Sequence, residues 1–186
     1  MPSKEHHRLT EQMTTLLKAP ALPQRTFIEG QTSYQDVINL TCGLVAALRA
    51  QDNPDQPVCL YTEDRGLTAA AILAAATEDA PQLLLPYALN PNVLQDMHET
   101  TGACRVITDQ AHDLPSPMVP VDYTPCAYPA SGFNAASMDK VIVSLFTGGS
   151  TGKPQVWPKT IGNLFGEAFF MVKNFGLSHE DRFVST

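Results

Sequence analysis

The sequence predicts an α/β fold in which a largely parallel sheet carries helices on both faces. Three short apolar segments, 58–61, 82–85 and 105–108, alternate with helical patterns, and the connections between them are short. A fourth apolar segment, 141–146, is rich in β-branched residues and ends at a run of glycines. Strands that alternate with helices in this way typically form a parallel sheet that is covered on both faces.

The first 51 residues predict two helices and one short strand. Residues 5–18 carry leucine and methionine at helical spacing, so this segment is predicted to be an amphipathic helix packed on the body. A short strand is predicted at 25–29. Ser33 and Asp36 have the spacing of a capping box, which predicts a helix from there to about Gln51.

Two further helices and one irregular connection are predicted in the middle of the chain. Residues 67–77 are rich in alanine and apolar nearly all round, as in a helix packed between other elements. Residues 91–101 predict a surface helix with Gly102 at its C-terminal cap. Five prolines between 110 and 138 exclude a long helix, so this stretch is predicted to wind, with an edge strand at 118–121.

The strand at 141–146 leads into a loop whose composition suits phosphate binding. Glycines let the backbone approach an anion closely, and hydroxyls and an ammonium group add hydrogen-bond donors. A glycine-rich surface turn is the alternative, but turns seldom combine three glycines, three hydroxyls and a lysine within seven residues. The predicted site consists of Thr147, Gly148, Gly149, Ser150, Thr151, Gly152 and Lys153.

Two common nucleotide-binding motifs do not fit this loop. The P-loop of ATPases needs a glycine five places before its Gly-Lys pair and a serine or threonine after it. Those positions hold Thr147 and Pro154 here. A G-x-G-x-x-G fingerprint after the first strand is also absent, so a Rossmann or flavodoxin-like nucleotide binder is a weaker interpretation.

After the loop, residues 155–157 are predicted to return as the second arm of a hairpin. Thr160 then caps a helix that runs to about Asn174 and ends at Phe175 and Gly176. The side chains predicted to face inward from this helix are Leu164, Ala168, Met171 and Val172.

The segment 146–156 resembles the phosphate-loop signature of the adenylate-forming superfamily. That superfamily contains acyl- and aryl-CoA synthetases, firefly luciferase and the adenylation domains of peptide synthetases. Its signature, Tyr/Phe-Thr-Ser/Gly-Gly-Thr/Ser-Thr-Gly-x-Pro-Lys-Gly, stands here as FTGGSTGKPQV. Thr160, Asn163 and Leu164 match the Thr-His-x-Asn-Leu that follows it in the family, and the alternating elements before the loop are similar too.

Two positions depart from the family signature. Gln155 stands where the family has a lysine, and Val156 stands where it has a glycine. One cation near the triphosphate is therefore missing, and Lys159 is a candidate replacement. A Pro-Gln variant is similar to the branch of the family that charges acyl or aryl groups onto carrier proteins.

The resemblance implies that residues 1–186 are part of the N-terminal domain of an AMP-forming ligase, with the phosphate loop at 146–154. Such an enzyme uses ATP and Mg²⁺ to convert a carboxylic acid into an acyl-adenylate, and it passes the acyl group to the thiol of CoA or of an acyl or peptidyl carrier protein. An apolar strand begins at 182–186 and lacks a continuation, which predicts that the chain has been cut.

The segments that would hold the catalytic residues are then missing, so no catalytic residue is expected here, and this piece alone is expected to be inactive. The alternative function is a non-catalytic α/β binding or interaction module that keeps the anion loop. Gln155 and Val156 favour that alternative slightly.

Composition excludes several other classes of function. A formal net charge of −7 argues against nucleic acid or an anionic membrane as the main partner. The first residues lack the apolar core of a signal peptide, and the longest apolar stretch, 67–76, is too short to span a bilayer. The predicted location is the cytoplasm.

Reduced, buried thiols are expected for the four scattered cysteines, Cys42, Cys59, Cys104 and Cys126.

Overall fold

A computed structural model describes residues 4–18, 22–28, 32–51, 53, 56–148, 155–178 and 180–182. The strands in this part of the chain are β1 (Thr26–Ile28), β2 (Thr32–Ser33), β3 (Val58–Tyr61), β4 (Leu83–Leu85), β5 (Arg105–Thr108), β6 (Val119–Pro120), β7 (Val141–Thr147) and β8 (Gln155–Thr160). The α-helices are α1 (Lys4–Leu16), α2 (Tyr34–Arg49), α3 (Arg65–Ala75), α4 (Pro91–Thr101) and α5 (Ile161–Asn174).

Six of the described strands form one sheet in the order β6-β5-β3-β4-β7-β8. β3 is parallel to both β4 and β5, β4 is parallel to β7, and β5 is parallel to β6. Of these six strands only β8 runs antiparallel, as the return arm of a hairpin with β7. The prediction of a largely parallel sheet is confirmed. β1 and β2 form a separate antiparallel pair, and β2 was not predicted.

Each face of the sheet has its own hydrophobic core, because successive strand residues point to opposite faces. On one face, Leu60 and Leu83 pack with buried residues of α2 and α3. On the other face, Leu84, Val106 and Phe146 pack against α4. The parallel sheet is therefore covered on both faces, as the sequence predicts.

Most helix ends lie where their capping residues predict. Ser33 and Asp36 form the expected capping box at the start of α2, and the hydroxyl and backbone N–H of Ser33 lower the pKa of the Asp36 carboxyl. Gly102 ends α4 in the left-handed conformation, with φ of 74°. α3 begins two residues before its predicted start, because the Asp64 carboxylate accepts a hydrogen bond of 2.9 Å from the N–H of Leu67.

The winding connection at 110–138 is tied to α2 by a disulfide. Cys42 of α2 and Cys126 are bonded, and the N–H of Cys126 donates to the carbonyl of Asn39 at 3.2 Å. The expectation of four reduced thiols is therefore wrong for this pair. Cys59 and Cys104 are free thiols; Cys59 is buried as expected, which raises its pKa to about 12, whereas Cys104 is only half-buried.

The inward face predicted for α5 is wrong at three of its four positions. Ala168, Met171 and Val172 are exposed, and only Leu164 is half-buried. α5 instead packs through a stripe of larger side chains spaced four residues apart, namely Ile161, Phe165 and Phe169. These bulky residues bury more apolar area than the predicted stripe, so they set the rotation of the helix.

The strand predicted at 182–186 lies almost wholly outside the described residues and stays a prediction. In the part of the chain that the structure covers, no helix is long and apolar enough to cross a membrane.

Gly43, in the middle of α2, allows the winding connection to approach the helix closely. A Cβ at this position would overlap the carbonyl oxygen of Thr124, and it would lie 2.8 Å from the carbonyl carbon and 3.2 Å from the Cα of Pro125. Backbone atoms cannot rotate away from such a contact. We therefore expect Gly43→Ala to lower the free energy of unfolding by about 2 kcal/mol, within the usual cost of overpacking.

Gly166 supplies the matched control because it lies within α5 and has room for a methyl group. A Cβ placed on Gly166 would meet Leu9 Cδ1 at 3.7 Å, an ordinary van der Waals contact. Gly166→Ala should raise the free energy of unfolding by about 0.5 to 1 kcal/mol through helix propensity. Urea unfolding of both variants measures the difference, and equal effects of the two substitutions would contradict the close approach at Gly43.

Candidate functional site

The predicted phosphate loop leaves the sheet at the carboxyl end of β7. Because β3, β4, β5 and β7 are parallel, their carboxyl ends meet at one edge of the sheet. Thr147, the last residue of β7, pairs with Gln155, the first residue of β8. β7 and β8 therefore pair at the base of the loop. This base lies at the edge where ligands bind in open α/β sheets.

The structure describes only the first two of the seven predicted site residues. Thr147 is half-buried, and its hydroxyl donates to the carbonyl of Gln155 over 3.4 Å. Gly148 is exposed. The other five members lie outside the described residues and stay predictions: Gly149, Ser150, Thr151, Gly152 and Lys153.

Residues on either side of the loop fix it to the body. Phe146 is almost completely buried among the residues that pack against α4. Thr160 and Asn163, which carry part of the family resemblance, form a capping box at the start of α5, with Asn163 N–H donating to the Thr160 hydroxyl at 3.1 Å. Their role in the described structure is therefore to begin a helix.

Lys159 does not lie beside position 155, where the signature has a lysine. Lys159 pairs with Val143 on β7, four residues along β8 from Gln155. Four residues of a strand span about 13 Å, and this direction leads away from the base of the loop. Gln155 and Val156 are both exposed beside that base.

The carboxyl edge of the sheet is acidic beyond β3 and β5. Glu63 and Asp64 follow β3, and Asp109 follows β5. Burial raises the pKa of the nearby Tyr123 hydroxyl, and the charges of Asp109 and Asp64 raise it further. The sequence places Lys153 at the β7 end of this edge, so a phosphate group is expected to be held there rather than beside Asp64 and Asp109.

Sequence reasoning missed one aromatic residue at the site. The ring of Tyr87, from the connection after β4, lies near Gly148 at the start of the loop, since a Cβ placed on Gly148 would be 3.4 Å from its Cε2. This position depends on β4 lying next to β7, and those strands are separated by about 60 residues of sequence. No local signal could have identified it.

A cavity of about 1020 Å³ lies elsewhere, among α1, α2, α3 and α5. Its walls are mainly apolar side chains, including Val37, Ile72, Phe165 and Phe169. Such walls do not suit a triphosphate, which needs hydrogen-bond donors and positive charge. We therefore place the candidate phosphate site at the loop after β7.

No family model matches the chain, and no curated protein matches it by sequence. Solved structures match its fold. The o-succinylbenzoate CoA synthetase of Bacillus subtilis, in complex with its acyl-adenylate intermediate, is 18% identical with a TM-score of 0.67, and the match covers 94% of this chain and 47% of that one. The chain therefore spans about half the length of this relative.

Two other solved structures also match the fold of this chain over most of its length. The N-terminal subdomain of Klebsiella oxytoca NpsA, in complex with 3-hydroxybenzoyl-AMSN, is 15% identical with a TM-score of 0.59, covering 87% of this chain and 43% of that one. McyG A-PCP, in complex with phenylalanyl-adenylate, is 14% identical with a TM-score of 0.67, covering 94% of this chain and 31% of that one.

Proposed function

We propose that this chain, whose fold is that of the N-terminal part of adenylate-forming enzymes, belongs to an ATP-dependent acid–thiol ligase. The ligase would activate a carboxylic acid as an acyl-adenylate and transfer the acyl group to the thiol of CoA or of a carrier protein. The observation that carries the proposal is the paired base Thr147–Gln155 at the carboxyl edge of this fold, between whose two residues the sequence has the glycines, hydroxyls and lysine of the loop.

The loop would hold the β- and γ-phosphates of ATP while the acid attacks the α-phosphate. The attacking carboxylate is already ionised at neutral pH, so this step needs no general base. Catalysis then depends on positioning and on neutralising the charge of the departing pyrophosphate. In this proposal Lys153 supplies the cation, and Gly148, Gly149 and Gly152 supply the backbone N–H groups. The hydroxyl donors are Ser150, Thr151 and Thr147, whose hydroxyl would leave the Gln155 carbonyl to reach the phosphate.

Mg²⁺ would neutralise part of the phosphate charge when it is bound together with ATP. Within the described ranges, no group of three or more His, Cys, Asp or Glu side chains is placed to hold a metal ion. Mg²⁺ usually keeps several waters and binds the substrate phosphates with one or two carboxylates. We therefore assign it no ligand among the described residues.

The proposed activity belongs to a longer protein than these 186 residues. We expect the acid-binding and C-terminal segments of this ligase to correspond to the half of the matched synthetase that this chain does not cover. The 186 residues alone are then expected to be inactive. The cytoplasm is the proposed location, because ATP and CoA are available there. Glutathione and thioredoxin reduce most disulfides in that compartment, so the Cys42–Cys126 bond is expected there only in oxidised protein.

Exchange of labelled pyrophosphate into ATP tests this proposal. The full-length protein should catalyse exchange that depends on one member of a panel of aliphatic and aromatic acids, because adenylate formation is reversible. The 186-residue chain should show none with any acid. Pyrophosphate exchange by the 186 residues alone would contradict the proposal that catalysis needs further segments of the protein.

A non-catalytic module remains a second candidate, favoured by Gln155 and Val156 at positions where the signature has lysine and glycine. That module would bind ATP or pyrophosphate without exchange. Titration calorimetry of the full-length protein with ATP, run beside the exchange assay, separates the two functions.

A further inference from the structure

Helix α5 carries two apolar stripes, and only one of them packs along its length on the described residues. The packed stripe, Ile161, Phe165 and Phe169, meets the core that contains α2 and α3. The second stripe has the helical spacing i, i+4, i+7 and i+11 and consists of Leu164, Ala168, Met171 and Phe175. Of the fourteen residues of α5, all of which the structure describes, only Ile161 is buried.

The second stripe is an exposed apolar surface. Leu164 is half-buried and Ala168 is exposed, whereas Met171 and Phe175 are 43% and 70% exposed. At 3.6 residues per turn the two stripes lie side by side and together span about 160° of the helix circumference. A helix that is apolar over so wide an arc normally packs on more than one neighbour, and contiguous exposed apolar patches mark interaction sites. The pattern therefore indicates a second packing partner for α5.

The second stripe forms one wall of the cavity among α1, α2, α3 and α5, an apolar groove of about 1020 Å³. Leu164 and Ala168 belong to both the stripe and the groove. Val37 of α2 and Ile72 of α3 are among the residues of the other walls. The stripe and the groove are therefore one surface, and covering it would remove apolar area from water.

The last described residues of the chain lie near this groove. The N–H of Leu177 donates to the carbonyl of Val172 at 3.0 Å, which holds the turn after α5 against the helix. Beyond the turn, Glu180 Oε1 is 3.7 Å from Arg25 Nη1. Phe27, two residues after Arg25, lines the groove. A segment that continues from residue 182 therefore starts close to the groove.

We infer that the groove and the second stripe of α5 bind the part of the same polypeptide that follows these 186 residues in the proposed ligase. The inference rests on the proposed function, because it needs the longer protein. The match covers only 47% of the synthetase, so more than half of that chain has no counterpart here. A segment tethered close to the groove has a high effective concentration there, which a second copy of the chain in solution lacks. Its contacting side chains should be aliphatic or aromatic, because buried polar groups would find few partners in such walls.

Thiol labelling of the 186-residue chain and of the full-length protein tests this inference. In a Cys104→Ser background the remaining free thiol, Cys59, is buried. Met171→Cys and Phe175→Cys each add one thiol to the second stripe, and N-ethylmaleimide reports its accessibility without reductant. Both thiols should react at least about tenfold more slowly in the full-length protein, because a covered thiol reacts only when the segment over it opens.

Phe170→Cys is the matched control. Phe170 is 64% exposed on the same helix, but it lies about 100° or more around the helix from every residue of the second stripe. Its thiol should react at the same rate in both proteins. Equal rates for Met171→Cys in the two proteins, or equal slowing of Phe170→Cys and Met171→Cys in the full-length protein, would overturn the inference.

Two further outcomes separate this surface from its alternatives. Slow labelling of Met171→Cys in the 186-residue chain that becomes faster on dilution would assign the groove to a second copy and overturn the inference. If the full-length protein shows no pyrophosphate exchange but still protects Met171→Cys and not Phe170→Cys, the ligase function fails and the docking surface stands.

Discussion

Lys153→Ala should lower acid-dependent pyrophosphate exchange by the full-length protein about 100-fold, the usual cost of removing one charge-stabilising group from an active site. Lys153 is the only cation that the sequence places between Thr147 and Gln155. Its loss leaves the charge of the departing pyrophosphate less neutralised. The melting temperature should stay nearly unchanged, because both described ends of the loop, Gly148 and Gln155, are exposed and substitutions at such sites have small effects on stability.

Lys159→Ala is the control for this prediction. Lys159 is a second lysine close in sequence, but it lies along β8 away from the base of the loop. Its replacement should leave exchange within a factor of about two of the unmodified protein, as expected for a surface charge outside the site. Equal losses in the two variants, or unfolding of Lys153→Ala, would argue that Lys153 has no special contact with phosphate.

Removal of the disulfide should have the largest effect on stability. Cys42 and Cys126 are separated by 84 residues, and a bond that closes a loop of this size is expected to stabilise the fold by about 4 kcal/mol through the unfolded state. Cys126 is exposed, so Cys126→Ser removes the bond with little loss of packing. Urea unfolding without reductant should therefore give a free energy of unfolding lower by about that amount.

A reductant provides the internal control for the disulfide. Dithiothreitol should lower the stability of the unmodified chain to that of Cys126→Ser, and it should not affect the variant. Cys104→Ser removes a free thiol and should respond to the reductant as the unmodified chain does. Insensitivity of the unmodified chain to dithiothreitol would contradict a stabilising bond.

Features set by neighbouring residues in the sequence were predicted well. The strands β3, β4, β5 and β7 and the caps at Ser33, Gly102 and Thr160 follow from periodicity and from short-range hydrogen bonds. The order of strand, loop and strand at the candidate site could also be predicted, because the residues of the phosphate-loop motif are contiguous in the sequence. Local chemistry therefore sufficed for the element order and for the base of the candidate site.

Features set by long-range packing were missed. The Cys42–Cys126 bond depends on how the winding connection returns to α2, and the position of Tyr87 near Gly148 depends on β4 lying beside β7. The rotation of α5 was wrong because two apolar stripes were available and the one with larger side chains, including Phe165 and Phe169, packed on the body. Sequence periodicity does not rank such alternatives.

An NMR titration of the ¹⁵N-labelled 186-residue chain with pyrophosphate is the most direct test of phosphate binding at the loop after β7. We expect saturable shifts of the amide signals from Thr147 to Lys153, and we expect the signals of residues that line the apolar cavity, such as Ile72 and Phe165, to stay unchanged. Shifts confined to other parts of the chain, or no shifts at any pyrophosphate concentration, would contradict a phosphate site in this loop.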